Sequence, residues 1–183
     1  LRHDRLGREL LVKAARVRGV DEPTAVDCTA GLGEDSLLLA AAGFRVTLFE
    51  RDGTILALLG DALERAAADP QLAGIVARME LVGGDSIEGL ASLGFTPDVV
   101  YLDPMFPGRT KSAAVKKKFQ LLHHLEQPCE EEEALVEAAL AAHPRKVVIK
   151  RPPKGPELAG VKPSYTVSGK AVRYDVLVPP PIA

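Results

Sequence analysis

The chain has 183 residues, 46% of them hydrophobic, and a formal net charge of −2 at pH 7. This length predicts one well-packed domain over residues 1–183 and excludes two large ones, while the small net charge excludes a uniformly basic surface. Two cysteines make no disulfide framework, and no apolar run approaches the ~18 residues of a membrane span, so we expect a soluble, cytoplasmic protein without membrane attachment.

The first predicted element is a leading helix within residues 1–20. Apolar residues recur at helical spacing between Leu6 and Val17, and Gly19 supplies a stop. The chain opens on Leu1 inside this charged pattern, so we expect that an amino-terminal portion is absent from it.

A strand, a glycine turn and a helix follow. The strand 24–29 runs into Gly31 and Gly33, and an apolar helix begins near Ser36. The glycines let the main chain pass close to a ligand, and free amides at the helix start favour a carboxylate or phosphate. Asp27 precedes the turn, and the third glycine of the dinucleotide fingerprint is missing. Both features favour S-adenosylmethionine over a nicotinamide cofactor, and we predict Asp27, Gly31 and Gly33 as contacts of that cofactor.

The second and third strands each end in an acid. Glu50 closes the strand Arg45–Glu50, near the distance of about 20 residues that separates a glycine turn from a ribose-binding acid. The third strand, Met79–Val82, leads to Asp85 and Ser86, which are placed for an adenine amino group. A surface role for Glu50 and an N-cap role for Asp85 remain alternatives.

The fourth strand delivers a polar tip. The apolar run from Asp98 to Leu102 suits a buried parallel strand, and it ends in Asp103, Pro104 and Phe106. The Asp103 carboxylate and the Pro104 carbonyl can accept two hydrogen bonds from the amino group of a planar base, while the Phe106 ring stacks on the face of that base. The tetrapeptide Asp103-Pro104-Met105-Phe106 resembles the Asp/Asn-Pro-Pro-aromatic signature of amino-group methyltransferases. We therefore predict these three residues as catalytic, with a plain proline turn as the alternative.

Basic residues follow the fourth and fifth strands. The predicted fifth strand is Lys146–Lys150, and a hairpin of Tyr165–Ser168 and Val172–Val178 completes seven strands. His123 and His124 point to different sides of a helix and predict no metal site. The predicted RNA phosphate contacts are Arg109, Lys111, Lys116, Lys117, Lys150 and Arg151, with a solvated charge run or a stiff surface loop as the alternatives.

These motifs together resemble the ribosomal RNA small subunit methyltransferase J family. The resemblance rests on the stretches 27–35, 48–51, 99–107, 111–117 and 147–152 and covers nearly the whole chain. It implies a Rossmann-like α/β fold of the class I S-adenosylmethionine-dependent methyltransferases, with a mostly parallel sheet and a carboxyl-terminal antiparallel hairpin. It also implies a bacterial enzyme that methylates the exocyclic N2 of one guanosine in 16S ribosomal RNA, with the RNA or the small ribosomal subunit as partner.

The resemblance further implies which residues contact the cofactor. These are Glu34, Asp35, Glu50, Arg51, Asp85, Ser86 and Asp103. The family commonly has a basic residue at the position of Glu34 and a serine at that of Asp85, so those two contacts depart from its pattern. Methylation of an amino group in DNA or in a protein glutamine, and a non-catalytic nucleotide-binding domain, remain as alternative functions.

Overall fold

A computed structural model describes residues 6–104 and 132–180 and gives a sheet with helices on both faces. The strands are β1 (Thr24–Asp27), β2 (Arg45–Glu50), β3 (Met79–Gly83), β4 (Val99–Leu102), β5 (Lys146–Arg151), β6 (Tyr165–Ser168) and β7 (Arg173–Leu177). The described helices are α1 (Leu10–Ala15), α2 (Glu34–Ala41), α3 (Gly53–Ala67), α4 (Ala73–Val76), α5 (Ser86–Ala91) and α6 (Glu132–Ala141), with a 3-10 turn at Leu158–Gly160. None of these helices is long and apolar enough to cross a membrane.

The strand order is β3-β2-β1-β4-β5-β7-β6. The first five strands pair in parallel, and β7 runs antiparallel to both β5 and β6. This confirms the predicted seven-stranded, mostly parallel sheet and its closing hairpin. Because β1, β2 and β3 lie side by side, with β4 on the other flank of β1, their carboxyl ends meet at one edge.

Two predicted elements extend at least two residues beyond the observed ends, and the last strand is shorter than predicted by one residue at each end. Strand β1 ends at Asp27 rather than Thr29, because the Asp27 carboxylate accepts the Thr29 amide at 3.0 Å and turns the chain. Helix α1 ends at Ala15, since Arg16 adopts an extended ψ of 122°.

Strand β4 lies at the centre and is buried on both sides, as its continuous apolar run predicts. Val99 and Tyr101 pack into the core under α1, α2 and α3, whereas Val100 and Leu102 pack into the core under α5 and α6. At the amino ends of the strands, Asp98 accepts bonds from the Thr24 amide and hydroxyl, at 2.8 and 3.1 Å. These contacts fasten β4 to β1 at the edge opposite the predicted site.

Candidate active site

The glycine turn has the left-handed backbone that its sequence requires. Gly31 has φ of 51° and Gly33 has φ of 73°, and helix α2 begins directly afterwards at Glu34. A Cβ at Gly33 would also lie 2.8 Å from Leu59 Cδ1, so the absence of a side chain lets α3 pack beneath the turn.

Asp27 holds this turn from below. Its side chain is buried and accepts the Ser36 hydroxyl at 2.6 Å and the Thr29 amide at 3.0 Å. Burial raises the pKa of Asp27 to about 7. The sequence predicts Asp27 as a cofactor contact, but the structure gives its carboxylate no exposed surface toward a ligand. It positions the turn instead, because both its oxygens are engaged under the backbone.

Glu50 lies beside the turn at the end of β2. One carboxylate oxygen accepts the Gly31 amide at 3.0 Å, and the other accepts the Asp52 amide at 2.8 Å. A carboxylate has about four lone-pair sites, so two remain for ligand hydroxyls. The structure therefore brings the glycine turn and the predicted ribose acid together.

The end of β3 adds Asp85 and Ser86. Asp85 is the N-cap of α5 and accepts the Ile87 amide at 2.8 Å, while its other oxygen lies 4.0 Å from the Arg51 guanidinium. The N-cap alternative is thus observed, and the Asp85 side chain is still 35% exposed at the edge where the strand ends meet. Ser86 lies against Cys28, a thiol whose pKa burial raises, so this cysteine is a core residue.

Asp103 lies at the end of β4, next to the turn. Its amide donates to the Thr29 hydroxyl at 2.7 Å, and its side chain is 37% exposed rather than directed into the apolar core. Pro104 follows it at the same edge of the sheet. The predicted stacking ring Phe106 and the predicted RNA contacts Arg109, Lys111, Lys116 and Lys117 lie outside the described residues.

A network of partly buried ion pairs joins β4, β5 and α2. The Lys150 ammonium lies 2.7 Å from Asp35 Oδ2 and 2.8 Å from Asp103 Oδ2. The Tyr101 hydroxyl donates to the same Asp35 oxygen at 2.6 Å. The neighbouring carboxylates raise the pKa of Lys150 despite its partial burial, so its charge persists. The ammonium predicted to contact RNA is therefore engaged within the protein, and the Asp35 carboxylate binds it.

Arg151 is also placed differently from its prediction as an RNA contact. It is 2% exposed, and its Nε donates to the Pro156 carbonyl at 2.8 Å. Burial lowers the pKa of Arg151. The alternation of strand β5 turns this side chain inward, where it supports the loop after the strand. It presents no surface to an RNA phosphate.

Three further residues of the site were not predicted from the sequence. Thr29, Ser36 and Tyr101 link the turn, the buried acid and the ion network, but each reads in sequence as an ordinary turn or core residue. Thr29 alone has a sequence signal, because an Asp at a strand end often accepts a bond from the backbone amide two residues later. Glu34 remains exposed on the first turn of α2.

The arrangement fits S-adenosylmethionine. Glu50 suits the two ribose hydroxyls, Asp85 suits the adenine amino group, and the left-handed backbone at Gly31 allows close approach of the methionine end. Asp103 lies beside the same turn, where the reactive methyl group would face an acceptor.

Comparisons with known proteins agree with this assignment. Residues 2–179 match the family described as "Putative SAM-dependent methyltransferase". Ribosomal RNA small subunit methyltransferase J of Thioalkalivibrio sulfidiphilus is 46% identical over 175 residues, covering 94% of this chain and 69% of that protein. The protein of the same name from Pseudomonas aeruginosa is 48% identical over 169 residues, covering 92% of this chain and 65% of that protein.

Among solved structures, the SAM-dependent methyltransferase NGO1261 from Neisseria gonorrhoeae superposes with a TM-score of 0.77 at 37% identity. The match covers 94% of this chain and 67% of the other. The chain therefore spans about two thirds of the length of these relatives.

Proposed function

This chain belongs to the S-adenosylmethionine-dependent methyltransferase family that includes ribosomal RNA small subunit methyltransferase J, and from that membership we propose that it methylates the exocyclic N2 of one guanosine in 16S ribosomal RNA. S-adenosylmethionine is its cofactor. The relatives named for the small-subunit RNA support the RNA acceptor, and the guanine N2 atom is the finer part of the proposal. An enzyme on ribosomal RNA would work in the cytoplasm, on naked RNA or on the small subunit.

The observation that carries the proposal is the position of Asp103. Its carboxylate is part-exposed at the end of β4, and its amide is bonded to Thr29, two residues before Gly31. An amino group that donates to this carboxylate and to the Pro104 carbonyl would therefore approach beside the glycine turn. Few acceptors other than an amino group can supply two N–H donors to such a pair.

The chemistry required of these residues is mainly placement. When bound, S-adenosylmethionine supplies an electrophilic methyl group on its sulfonium. An aromatic amine is a weak nucleophile because its lone pair is delocalised into the ring. When Asp103 and the Pro104 carbonyl accept hydrogen bonds from its two N–H groups, the lone pair becomes more localised and points in line with the methyl group. Asp103 or water can then take the proton that the nitrogen releases as the new bond forms.

The turn and strand ends hold the donor side of this reaction. Glu50 would bind the ribose hydroxyls and Asp85 the adenine amino group, while Asp27 fixes the turn from below. A guanosine inside a folded RNA must leave its stack to reach Asp103, which costs a few kcal/mol. Phe106, proposed to stack on the extruded base, would offset part of that cost.

The proposal is tested by supplying labelled S-adenosylmethionine with 16S RNA or small subunits that lack the modification, and with DNA and protein as rival acceptors. We expect label in the RNA alone, at guanosine N2 by nucleoside mass spectrometry. Label in DNA or in a glutamine side chain would replace the RNA assignment by one of those acceptors.

The same assay tests the role of Asp103. Asp103→Ala should lower methyl transfer by at least about 100-fold, because it removes a preorganised acceptor of the amine, while cofactor affinity changes little. Asp61→Ala, at an exposed aspartate of α3, is the matched control and should retain the wild-type rate. Wild-type transfer by Asp103→Ala would show that the amine is held elsewhere.

A further inference from the structure

We infer that Lys150 is a positioning residue for methyl transfer, holding the Asp103 carboxylate in its reactive orientation through an ion triad with Asp35. The inference rests on the proposed function in one respect, namely that Asp103 accepts the amine. It assigns to Lys150 a role other than RNA binding and to Asp35 a role other than cofactor binding.

The register of the sheet places the triad. Leu102 of β4 and Ile149 of β5 are partners in the parallel ladder, so the residues that follow them, Asp103 and Lys150, emerge side by side. Side chains alternate along a strand, so Lys150 lies on the same face as Val148, which packs in the core under α2. The first turn of α2 covers that face and supplies Asp35.

The triad is held at each member. Tyr101, which is buried in β4, donates to the same Asp35 oxygen that binds the ammonium, at 2.6 Å. Asp103 is fixed through its own amide by Thr29 at 2.7 Å. The Lys150 side chain is 30% exposed, so solvent screens its contacts less than those of a surface pair. Because Asp103 is bound through both its backbone amide and its carboxylate, its side chain has little freedom to rotate.

The geometry argues against a free phosphate contact by Lys150. An ammonium has three N–H donors, and two are directed at carboxylates within 2.8 Å. To reach a phosphate, the side chain would have to leave Asp35 and Asp103 as neighbouring like charges. Lys154, which is exposed in the loop after β5, has no ion pair with a described residue.

The charge of Lys150 also favours the form of Asp103 that the reaction needs. An ionised carboxylate only accepts hydrogen bonds, whereas a protonated carboxyl group also donates one. The Lys150 ammonium, at 2.8 Å, stabilises the ionised form. Among residues 6–104 and 132–180, the titratable and charged groups that interact with Asp103 are Asp27, Asp35, Tyr101, Lys150, Arg151 and Tyr174. Lys150 is the cation of this group that contacts the Asp103 carboxylate directly.

The inference is tested by steady-state kinetics on purified Lys150→Met, Lys150→Arg and Asp35→Asn proteins, with 16S RNA lacking the modification as substrate. Lys146→Met is the matched control, because Lys146 is on the same strand but bonds to the Ala14 and Arg16 carbonyls at the opposite edge. Cofactor affinity by calorimetry and thermal melting accompany each variant.

We expect Lys150→Met to lower kcat by about 10- to 100-fold with little change in the KM for RNA, since a misoriented Asp103 carboxylate slows the chemical step. Lys150→Arg should recover most of kcat, because a guanidinium can bridge two carboxylates. Lys146→Met should retain kcat even if it melts earlier.

The pH profile separates positioning from mere structural support. In Lys150→Met the acid limb of kcat should move to higher pH, because Asp103 loses its counter-ion and keeps Asp35 as a like charge. In Asp35→Asn the acid limb should move to lower pH, because the like charge is removed and the ammonium remains. A variant that only loosens the fold would shift neither limb in this opposed way.

Three results would overturn the inference. One is wild-type kcat with an unchanged acid limb in Lys150→Met, and another is a defect confined to the KM for RNA, which would return Lys150 to phosphate binding. If Lys150→Met does not fold, an unchanged acid limb in Asp35→Asn is the third. Absence of methyl transfer by the wild-type protein would instead refute the proposed function.

Discussion

Two carboxylates of the site, Asp27 and Asp103, end adjacent strands and yet have opposite surroundings. Asp27 is 1% exposed under the glycine turn, whereas Asp103 is 37% exposed at the edge of the crevice. Burial penalises the charged form of the first, while an ammonium faces the second. Environment, not residue type, makes one acid structural and the other available to an acceptor.

This difference predicts a pH dependence of stability. Because the pKa of Asp27 is raised from 3.8 to about 7 in the folded state, its contribution to stability is full below pH 3.8 and is lost as the pH rises to about 7. Between pH 5 and 8 we expect the wild-type protein to lose about 2 to 3 kcal/mol of unfolding free energy relative to Asp27→Asn. Urea denaturation of both proteins at the two pH values measures this.

Asp61→Asn, at an exposed aspartate, provides the comparison for that experiment and should follow the wild type at both pH values. If Asp27→Asn and the wild type keep a constant difference between pH 5 and 8, the raised pKa of Asp27 is refuted.

At the residue scale, sequence predicts what local patterns specify. The adjacency of Gly31 and Glu50 follows from parallel strands that share an edge. The direction of the Asp27 side chain does not, since it depends on a turn that folds back over the carboxylate. The bond between Lys150 and Asp35 joins residues 115 positions apart, and no spacing rule encodes it.

At the scale of elements, a glycine in α5 controls how closely that helix approaches the sheet. A Cβ at Gly89 would lie 2.3 Å from Phe49 Cε1 and 2.5 Å from its Cζ. Phe49 immediately precedes Glu50 on β2, so this helix packs on the strand that carries the acid beside the glycine turn. The small residue in this helix thus has a packing reason that overrides its low helix propensity.

We therefore predict opposite signs for two glycine-to-alanine changes within helices. Gly89→Ala should lower the unfolding free energy by about 1 to 3 kcal/mol, because the ring must be displaced. Gly60→Ala in α3 should raise it by about 0.5 to 1 kcal/mol, since its Cβ would lie 3.9 Å from Leu81 Cδ2, an ordinary contact. Chemical denaturation measures both, and equal signs would contradict the packing argument.

Element positions were largely predictable, because apolar periodicity and glycine or proline boundaries agree with each other. Strands Arg45–Glu50 and Tyr165–Ser168 match their predicted bounds. The misjudged ends lie where a side chain intervenes, as at Asp27, or where the backbone extends early, as at Arg16. Periodicity carries no information about either event.

At the scale of the whole molecule, the strand order divides the sheet at the boundary between β1 and β4. Strands β1, β2 and β3 carry the ends proposed to bind the cofactor, while β4 and β5 carry Asp103 and Lys150. This order was predictable from the motif sequence for β1 to β3. The position of Asp103 beside the glycine turn also depends on the β1–β4 pairing, which the ladder of Ala25–Asp27 with Val99–Tyr101 shows and which was not predicted.

Because the cofactor would join the ends of three strands in the proposed site, its binding should stabilise the whole fold. S-adenosylhomocysteine at 100 times its Kd should add about 2.7 kcal/mol, raising Tm by roughly 5 to 10 °C, while NAD should give no shift. Glu50→Gln should reduce the rise to about half by weakening affinity about tenfold.

Differential scanning fluorimetry measures these shifts, with Glu64→Gln at an exposed site of α3 as the matched control. A full rise in Glu50→Gln would remove this acid from the cofactor site.

The boundary between β1 and β4 has a consequence for protein engineering. The strand ends before it are those proposed to hold the methyl donor, and the strands after it carry the groups proposed to act on the acceptor, with Asp35 of α2 joined to Lys150 across the boundary. Asp98 and Thr24 hydrogen-bond the two parts together at the opposite edge of the sheet. Chimeras exchanged near residue 98 between relatives of different substrate choice should therefore inherit donor recognition from one parent and target recognition from the other. Retargeting such an enzyme would then leave the glycine turn, Glu50 and Asp85 unchanged, provided that Asp35 stays matched to Lys150.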